Sequence, residues 1–193
     1  MATYEIRELF IKNMICSRCL KVIRQDLESI GVEILELRLG KIRIKYRKHQ
    51  VTLVDIEECL RLDDFELVQD RGVAISEEIK LVLIRIVNKL PIERTNKLSD
   101  LLAVKLHRDY WTLSRTFSRT TGTTIERYFI LLKVEKAKEL IEYDEMNFSE
   151  IAYELGYHNL NHLSGQFKQV TGMSMSEYKR MNEKPRQPLD KIL

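Results

Sequence analysis

The sequence predicts an α+β part at the N-terminus, followed by a part built only of helices. In the first 72 residues, short runs rich in Ile, Val and Leu alternate with amphipathic stretches, a pattern typical of strands packed against helices. Beyond residue 73, apolar residues recur at spacings of three and four, which indicates helices throughout. A segment of this second part also occurs twice, which indicates a duplicated structural unit.

The predicted elements of the N-terminal part follow the order βαββαβ. This order is the ferredoxin-like plan, so we assign residues 1–72 to a ferredoxin-like domain. Residues 6–11, 32–39, 41–46 and 65–70 are the predicted strands, and residues 16–31 and 51–62 are the predicted helices.

The duplicated segment predicts two helix-turn-helix units, at about residues 98–122 and 148–172. Each copy has a small Ala on one helix, a short turn and a second helix that carries a Phe. Two such units in one chain predict contact with two successive grooves of DNA. Leu102, Ala103, Leu106, Leu113, Ser114, Phe117, Thr121 and Gly122 recur as Ile151, Ala152, Leu155, Leu163, Ser164, Phe167, Thr171 and Gly172.

Capping residues predict where the helices of the all-α part begin and end. A first helix is expected from Ser76 to Leu90, before Pro91. A linker helix, opened by a capping box of Thr123 and Glu126, would join the two units. The other expected starts are Ser99, Asp109, Asn147, Asn159 and Ser174, and the expected ends are Leu106, Gly122, Tyr143, Gly156 and Gly172.

Residues 73–182 thus form the predicted helical domain, and residues 183–193 a flexible tail. Six apolar residues of the repeated segments are expected in its core, where substitution would unfold the domain. They are Ala103, Leu113, Phe117, Ala152, Leu163 and Phe167.

Residues 76–182 resemble the AraC-type DNA-binding domain of the bacterial AraC/XylS transcription regulators. The segment EIAYELGYHNLNHLSGQFKQVTG is similar to the second helix-turn-helix signature of that family. The resemblance implies a long linker helix that joins two helix-turn-helix units. Their recognition helices would enter adjacent major-groove segments on one face of the DNA, ~34 Å apart.

The same resemblance implies which side chains contact DNA. Arg115 can bind a guanine edge, Asn161 an adenine edge, and Trp111 can pack on a thymine methyl group. Gly165 stands where many relatives carry a base-reading Arg, so the second unit is expected to read sequence less strictly. The full expected set is Trp111, Ser114, Arg115, Asn161, His162 and Ser164, with Arg119 and Lys168 at phosphates.

Two of these side chains have an alternative reading. Trp111 could serve surface packing, and His162 could stabilise its helix or face a phosphate rather than read a base. The basic stretch around Arg115 could equally be a solvated face.

The segment NMICSRC resembles the M-x-C-x-x-C loop of heavy-metal-associated domains, and the similarity extends over about residues 4–71. It implies that Cys16 and Cys19 bind Cu(I) or another soft metal ion, and that Met14 plugs the core. Thiols at a helix N-terminus have a lowered pKa, and soft thiolates suit Cu(I). The alternative is a retained fold whose thiols are idle or redox-sensitive.

Two features depart from the heavy-metal-associated pattern. Asn13 replaces the usual Gly, and the sequence offers no sure third or fourth ligand for tetrahedral Zn²⁺. Cys59 is a candidate third ligand, but it lies beside Ile56 and Leu60 on an apolar helical face, so it is rather expected to be a buried structural thiol.

Composition narrows the class of protein. The chain has 193 residues, 44% of them hydrophobic and 32% charged, so it is expected to fold. Acidic and basic residues balance over residues 1–71, and the net charge of +3 lies in the remainder. Three cysteines, no membrane-spanning run and no secretory signal pattern predict a cytoplasmic protein.

The sequence does not predict an enzyme. It has no Gly-rich phosphate loop, and its four His residues form no Ser/His/Asp set. A C-x-x-C pair also occurs in thioredoxin-like oxidoreductases, but those need a cis-Pro, and this chain has no Pro before Pro91.

The predicted function is a sequence-specific DNA-binding transcription regulator with an N-terminal sensor or partner domain. Its expected partners are double-stranded promoter DNA, RNA polymerase and a second copy of the chain. One alternative is a metal-trafficking protein whose helical part is a docking platform. The other is an architectural DNA-binding protein whose N-terminal domain only dimerises it.

Overall fold

A computed structural model describes residues 4–14, 16–93 and 97–192. The chain divides into two compact units, Met1–Leu81 and Val82–Leu193, called here the N-terminal and the C-terminal unit. The elements are β1(Tyr4–Lys12), α1(Ser17–Ser29), β2(Glu33–Arg38), β3(Lys41–Arg47), α2(Leu53–Arg61), β4(Glu66–Val68), α3(Arg71–Asn88), α4(Leu98–Leu106), α5(Tyr110–Thr121), α6(Ile125–Tyr143), α7(Phe148–Glu154), α8(Leu160–Thr171) and α9(Met175–Arg180), with a short 3-10 helix at Leu189–Lys191.

The N-terminal unit is an antiparallel sheet with the strand order β2-β3-β1-β4 and two helices, α1 and α2. β1 and β3 pair in one unbroken register from Tyr4↔Arg47 to Phe10↔Lys41. The alternating pattern of β3 buries Ile42, Ile44 and Tyr46 and leaves the basic residues between them on the other face. The core side chains, from both helices and the sheet, include Ile11, Ile23, Leu27, Val32, Ile56, Leu60 and Phe65.

The turn between β2 and β3 needs Gly40, because the backbone there has φ +81°. The Gly40 N–H donates to the Met14 Sδ atom at 3.2 Å, and Met14 is 1% exposed. The prediction that Met14 plugs the core is therefore confirmed. Cys59 is partly buried and packs against this core, so the expected burial of its thiol is met only in part.

Helix α3 begins at Arg71, five residues before the predicted start at Ser76. The Asp70 carboxylate accepts hydrogen bonds from the backbone N–H groups of Gly72 and Val73, at 2.6 and 3.0 Å, and so caps an earlier first turn. Ser76 lies buried inside the helix.

The C-terminal unit is built around α6, which contacts α5, α7, α8 and α9. Four predicted caps are confirmed, since the side chains of Asp109, Asn147, Asn159 and Ser174 accept backbone N–H groups of the first turns of α5, α7, α8 and α9. The buried side chains of α6 are Ile125, Tyr128, Leu132, Val134, Glu135, Ala137, Leu140 and Ile141.

Three details of this unit differ from the prediction. Lys97 rather than Ser99 is the N-cap residue of α4, and the Ser99 hydroxyl donates to Asp100 inside the first turn. Thr124 rather than Thr123 caps α6, because its side chain accepts the Arg127 N–H. Ala103 is only partly buried, whereas its repeat partner Ala152 is 2% exposed.

The repeat extends to contacts that the sequence comparison missed. Phe117 packs on Tyr128 with ring centroids 5.6 Å apart, and Phe167 packs on Tyr178 at the same distance. In both copies the hydroxyl of the last helical Thr donates to the Phe carbonyl oxygen at 2.7 Å. The same side-chain roles therefore recur in α5 with α6 and in α8 with α9.

Two turns of the repeat carry equivalent left-handed residues. His107, after α4, has φ +51°, and Gly156, after α7, has φ +72°. A left-handed backbone suits Gly better than His, because His carries a Cβ atom.

The residues after α9, predicted as a flexible tail, contact α6. The Arg186 guanidinium pairs with the carboxylates of Glu139 and Glu142 at 2.8 and 3.0 Å, and the Gln187 N–H donates to Glu135 at 2.6 Å. Among the described helices, none is both long and apolar enough to cross a membrane.

Candidate DNA-binding surface

Helix α5 separates a buried face from an exposed one. Leu113 and Phe117 are completely buried, while Trp111, Arg115 and Arg119 follow one another at helical spacing on the exposed face. Trp111 is 68% exposed, although it is the only Trp of the chain. Trp is enriched among the residues that contribute most to binding partners, so an exposed Trp on this helix is a candidate contact residue.

The exposed face of α5 is ordered by a cation–π contact. The Arg115 guanidinium lies over the Trp111 ring, 5.2 Å from its centroid. Within the described ranges, neither Arg115 nor Arg119 has a carboxylate partner. These guanidinium groups therefore keep their hydrogen-bond donors for a ligand.

Contacts at its N-terminus hold α5 against α6. The Asp109 carboxylate accepts the Thr112 N–H at 2.8 Å, and this bond lowers the pKa of Asp109. The Tyr110 hydroxyl donates to the Glu126 carboxylate, which lowers the pKa of Glu126. Burial, reinforced by the Glu126 charge, raises the pKa of Tyr110, so this hydroxyl stays protonated. These hydrogen bonds fix the N-terminal end of α5 against α6.

Helix α8 repeats this division with a different exposed surface. Leu163 and Phe167 are completely buried, and Asn161, His162 and Lys168 are exposed. Gly165 also lies on the exposed side, and a Cβ atom built there meets nothing within 4 Å. By the fifty-residue offset of the repeat, Asn161 and Gly165 occupy the positions of Trp111 and Arg115, whereas the exposed His162 and Lys168 occupy the positions of the half-buried Thr112 and Ser118.

The two predicted serine contacts lie deeper than the residues beside them. Ser114 and Ser164 are both half-buried. The Ser164 hydroxyl is 3.7 Å from the Met175 Sδ atom, so this side chain faces α9. Of the eight predicted DNA contacts, these two are therefore the least accessible.

His162 belongs to a small polar cluster that the sequence analysis missed. Its ring meets the Tyr157 ring edge to face at 5.3 Å, and its Nε2 atom lies 3.3 Å from the Gln166 amide nitrogen. The Tyr157 hydroxyl donates to Gln166 at 2.7 Å, and the Lys133 ammonium lies 4.1 Å from the Tyr157 ring centroid. Burial raises the pKa of Tyr157. In the sequence, the cluster is indicated only by the separation of Tyr157 and Gln166, which lie on either side of a turn.

The thiols of Cys16 and Cys19 lie together at the start of α1 in the N-terminal unit. Their Sγ atoms are 3.4 Å apart, with Cys16 exposed and Cys19 half-buried. Hydrogen bonds from the Cys19 backbone and side chain lower the pKa of Cys16. Burial raises the pKa of Cys59.

Two features bear on a metal ion at this pair. Asn13 adopts φ +67° and donates its side-chain N–H to the Asp64 carbonyl oxygen at 2.7 Å, and Asn is one of the few residues with a Cβ atom that adopt this left-handed backbone readily. Across residues 4–14, 16–93 and 97–192, no group of three or more His, Cys, Asp or Glu side chains could hold a metal. Two adjacent thiols suit a soft ion of low coordination number, and they do not complete a tetrahedral Zn²⁺ site.

Comparison with known proteins identifies the C-terminal region. A family model described as a helix-turn-helix domain matches residues 102–181. The Escherichia coli transcriptional activator RhaS is 33% identical over 69 residues, which are 36% of this chain and 25% of that protein. The Bacillus subtilis regulator YdeC is 29% identical over 68 residues, which are 35% of this chain and 23% of that protein.

A solved structure also matches. A Chromobacterium violaceum transcriptional regulator, titled as containing an AraC-type DNA-binding domain, is 15% identical with a TM-score of 0.48, covering 59% of this chain and 100% of that one. The chain spans about a quarter of the length of the curated relatives it matches. Residues 102–181 are a helix-turn-helix domain, and in this region the chain is similar to transcription regulators of the AraC type.

Proposed function

We propose that the chain is a sequence-specific DNA-binding transcription regulator that inserts α5 and α8 into two successive major-groove segments of double-stranded DNA. The observation that carries the proposal is the exposed Trp111–Arg115 stack on a helix whose opposite face is completely buried. The duplicated packing of α4 with α5 and of α7 with α8 supports two helix-turn-helix units joined by α6. Two rigid units on one linker helix fit adjacent grooves better than a single site.

Roles can be assigned to the exposed side chains of both helices. Arg115 would donate to a guanine edge while Trp111 packs on the neighbouring thymine methyl or sugar, and Asn161 would bind an adenine edge. Arg119 and Lys168 would neutralise phosphates, and His162 would serve the same surface. Ser114 and Ser164, which are half-buried, would reach DNA only at its closest approach.

The experiment is selection of bound sequences from a random duplex pool at fixed salt, with the full chain and its Arg115→Ala variant side by side. We expect two short blocks of preferred bases about one helical turn apart, one of which loses its preference in the variant. Arg24→Ala is the matched control, because Arg24 is an exposed Arg paired with Glu28 in the N-terminal unit. A wild-type chain that enriches no sequence contradicts the proposal.

For the N-terminal unit, we infer a ferredoxin-like domain that acts as a sensor or partner module. The βαββαβ order and the strand order β2-β3-β1-β4 support this assignment. The adjacent thiols of Cys16 and Cys19, with the lowered pKa of Cys16, support Cu(I) or another soft ion as the ligand. Ligand or partner binding at this unit would change DNA affinity.

Cu(I) competition with a chelator tests the metal part of this proposal on the full chain. We expect equimolar Cu(I) binding by the wild type and by Cys59→Ser, and its loss in the Cys16→Ser, Cys19→Ser double variant. DNA affinity measured with and without Cu(I) then tests the sensor role. Cu(I) binding that leaves DNA affinity unchanged contradicts a metal-sensing role.

Three further expectations from the sequence analysis remain proposals for the whole protein. They are contact with RNA polymerase, a cytoplasmic location and the lack of enzymatic activity. Cu(I) transfer to a partner by a chain that binds no DNA would favour a trafficking protein. Tight DNA binding unchanged in the Cys16→Ser, Cys19→Ser variant would favour an architectural protein.

A further inference from the structure

Half of strand β1 has an edge without a strand partner. β4 pairs with Phe10–Lys12 only, so the backbone of residues 4–9 has no strand on that side within the described part of the chain. The opposite sheet edge, β2, carries a register shift between Ile34 and Glu36. Bulges, proline and charged side chains protect edges from unspecific pairing, and the free half of β1 has no bulge or proline but carries Glu5, Arg7 and Glu8, so a strand that pairs there must offer complementary charges. Ile6 is 54% exposed there.

The direction of the backbone groups decides which residues can pair across this edge. The Ile11 N–H donates to the Gly40 carbonyl oxygen at 3.0 Å, so Ile11 faces the β3 side. Backbone groups alternate along a strand, and the register of β1 with β3 is unbroken. Tyr4, Ile6 and Glu8 therefore direct their N–H and C=O groups to the free edge.

The side chains then select one register for two antiparallel copies of this edge. Pairing Ile6 with Ile6 of the second copy places Glu5 opposite Arg7 on both sides of the two-fold axis. Shifting by two residues in one direction sets Glu5 against Glu5, and in the other direction Arg7 against Arg7. Opposite charges across a strand pair stabilise it and like charges destabilise it.

We propose that a second copy of the chain pairs with residues 4–8 of β1, in an antiparallel two-fold register centred on Ile6. Ile6 and Glu8 exchange backbone hydrogen bonds with Ile6 and Tyr4 of the second copy, and the two sheets become one continuous sheet. The Arg7 guanidinium pairs with Glu5 of its own strand, and in the dimer it also lies opposite Glu5 of the second copy. The exposed Ile6 side chains cover each other at the axis. None of the side chains proposed to contact DNA takes part in this interface.

Charge reversal tests the register on the full chain, with mass measured by sedimentation equilibrium. The wild type is expected to dimerise. Glu5→Arg and Arg7→Glu each place like charges opposite one another twice, so each alone is expected to weaken the dimer by roughly tenfold or more. An equimolar mixture of the two variants restores both opposite-charge pairs and should form a heterodimer.

The Arg24→Glu variant is the control, since it reverses the charge of an exposed ion pair on α1. It should dimerise like the wild type, and circular dichroism should show all variants folded. A monomeric wild type, an Arg7→Glu variant that dimerises like the wild type, or a mixture that stays monomeric would each overturn the proposal.

Discussion

Single residues divide the C-terminal unit into side chains that hold the fold and side chains that face solvent. Leu163 and Phe167 have no exposed surface, whereas Trp111 is 68% exposed on the equivalent helix of the other copy. Removing a buried side chain leaves a cavity, and removing an exposed one does not. Stability and DNA affinity should therefore respond to different residues.

Phe167→Ala is expected to lower the free energy of unfolding by roughly 3–5 kcal/mol, because it removes the ring that packs on Tyr178. Trp111→Ala is expected to change it by at most about 0.5 kcal/mol. Urea denaturation measures both changes. DNA affinity of the folded Trp111→Ala variant should fall. Equal loss of stability in the two variants would show that Trp111 is a packing residue.

Gly165→Ala is expected to stabilise the chain by roughly 0.5–1 kcal/mol, since Gly in a helix interior is unfavourable. Its backbone is helical and the added Cβ meets no atom within 4 Å. Gly122→Ala is the contrasting control, because Gly122 has φ +72° and should lose stability on substitution. Thermal unfolding measures both.

Gly165→Arg is expected to strengthen DNA binding, since it adds a cation to the exposed side of α8 between Asn161 and Lys168. Affinity measured at several salt concentrations should show a steeper salt dependence than in Gly165→Ala. An unchanged salt dependence would show that this side of α8 does not face DNA.

At the scale of elements, three helix starts differ from the predicted ones. Asp70 and Thr124 cap the first turns of α3 and α6 through their side chains, whereas Lys97 precedes α4 without a side-chain cap. The sequence offers neighbouring Ser and Thr residues as equally good caps at Ser76, Ser99 and Thr123. Tertiary packing decides among such neighbours, so spacing alone cannot.

The elements also show how much of the candidate site can be predicted from the sequence. The repeated Leu and Phe residues correctly predict the buried faces of α5 and α8. The Trp111–Arg115 stack and the Ser164–Met175 contact depend on side-chain rotamers and on the approach of α9. The spacing of apolar residues in the sequence determines neither the rotamers nor the position of α9. The DNA contacts themselves remain predictions.

The cap of α5 predicts a dependence on pH. The hydrogen bond from Thr112 lowers the pKa of Asp109 in the folded state, so its contribution is present above the unfolded-state pKa and is lost as the pH falls through the folded-state pKa. In Asp109→Asn the amide oxygen can cap without titrating. Urea denaturation across the acid range should therefore show the variant gaining stability relative to the wild type as the pH falls. A constant difference contradicts this role.

At the scale of the whole molecule, the chain combines two compact units of different composition. Among the described residues, the N-terminal unit has a small sheet with a thiol pair and an edge that is partly without a strand partner, and the C-terminal unit has a duplicated helical core. The net positive charge lies outside the first 71 residues, in the part that carries the helix-turn-helix domain. This distribution favours DNA contact through the C-terminal unit.

Hydroxyl-radical footprinting of the full chain on a selected DNA site tests the central claim most directly. The proposed pair of helix-turn-helix units on one linker helix predicts two protected blocks on one face of the duplex, about one helical turn apart. Arg115→Ala should weaken protection in one block and leave the other. A single protected block, or equal loss of both blocks in the variant, would contradict recognition of two successive grooves.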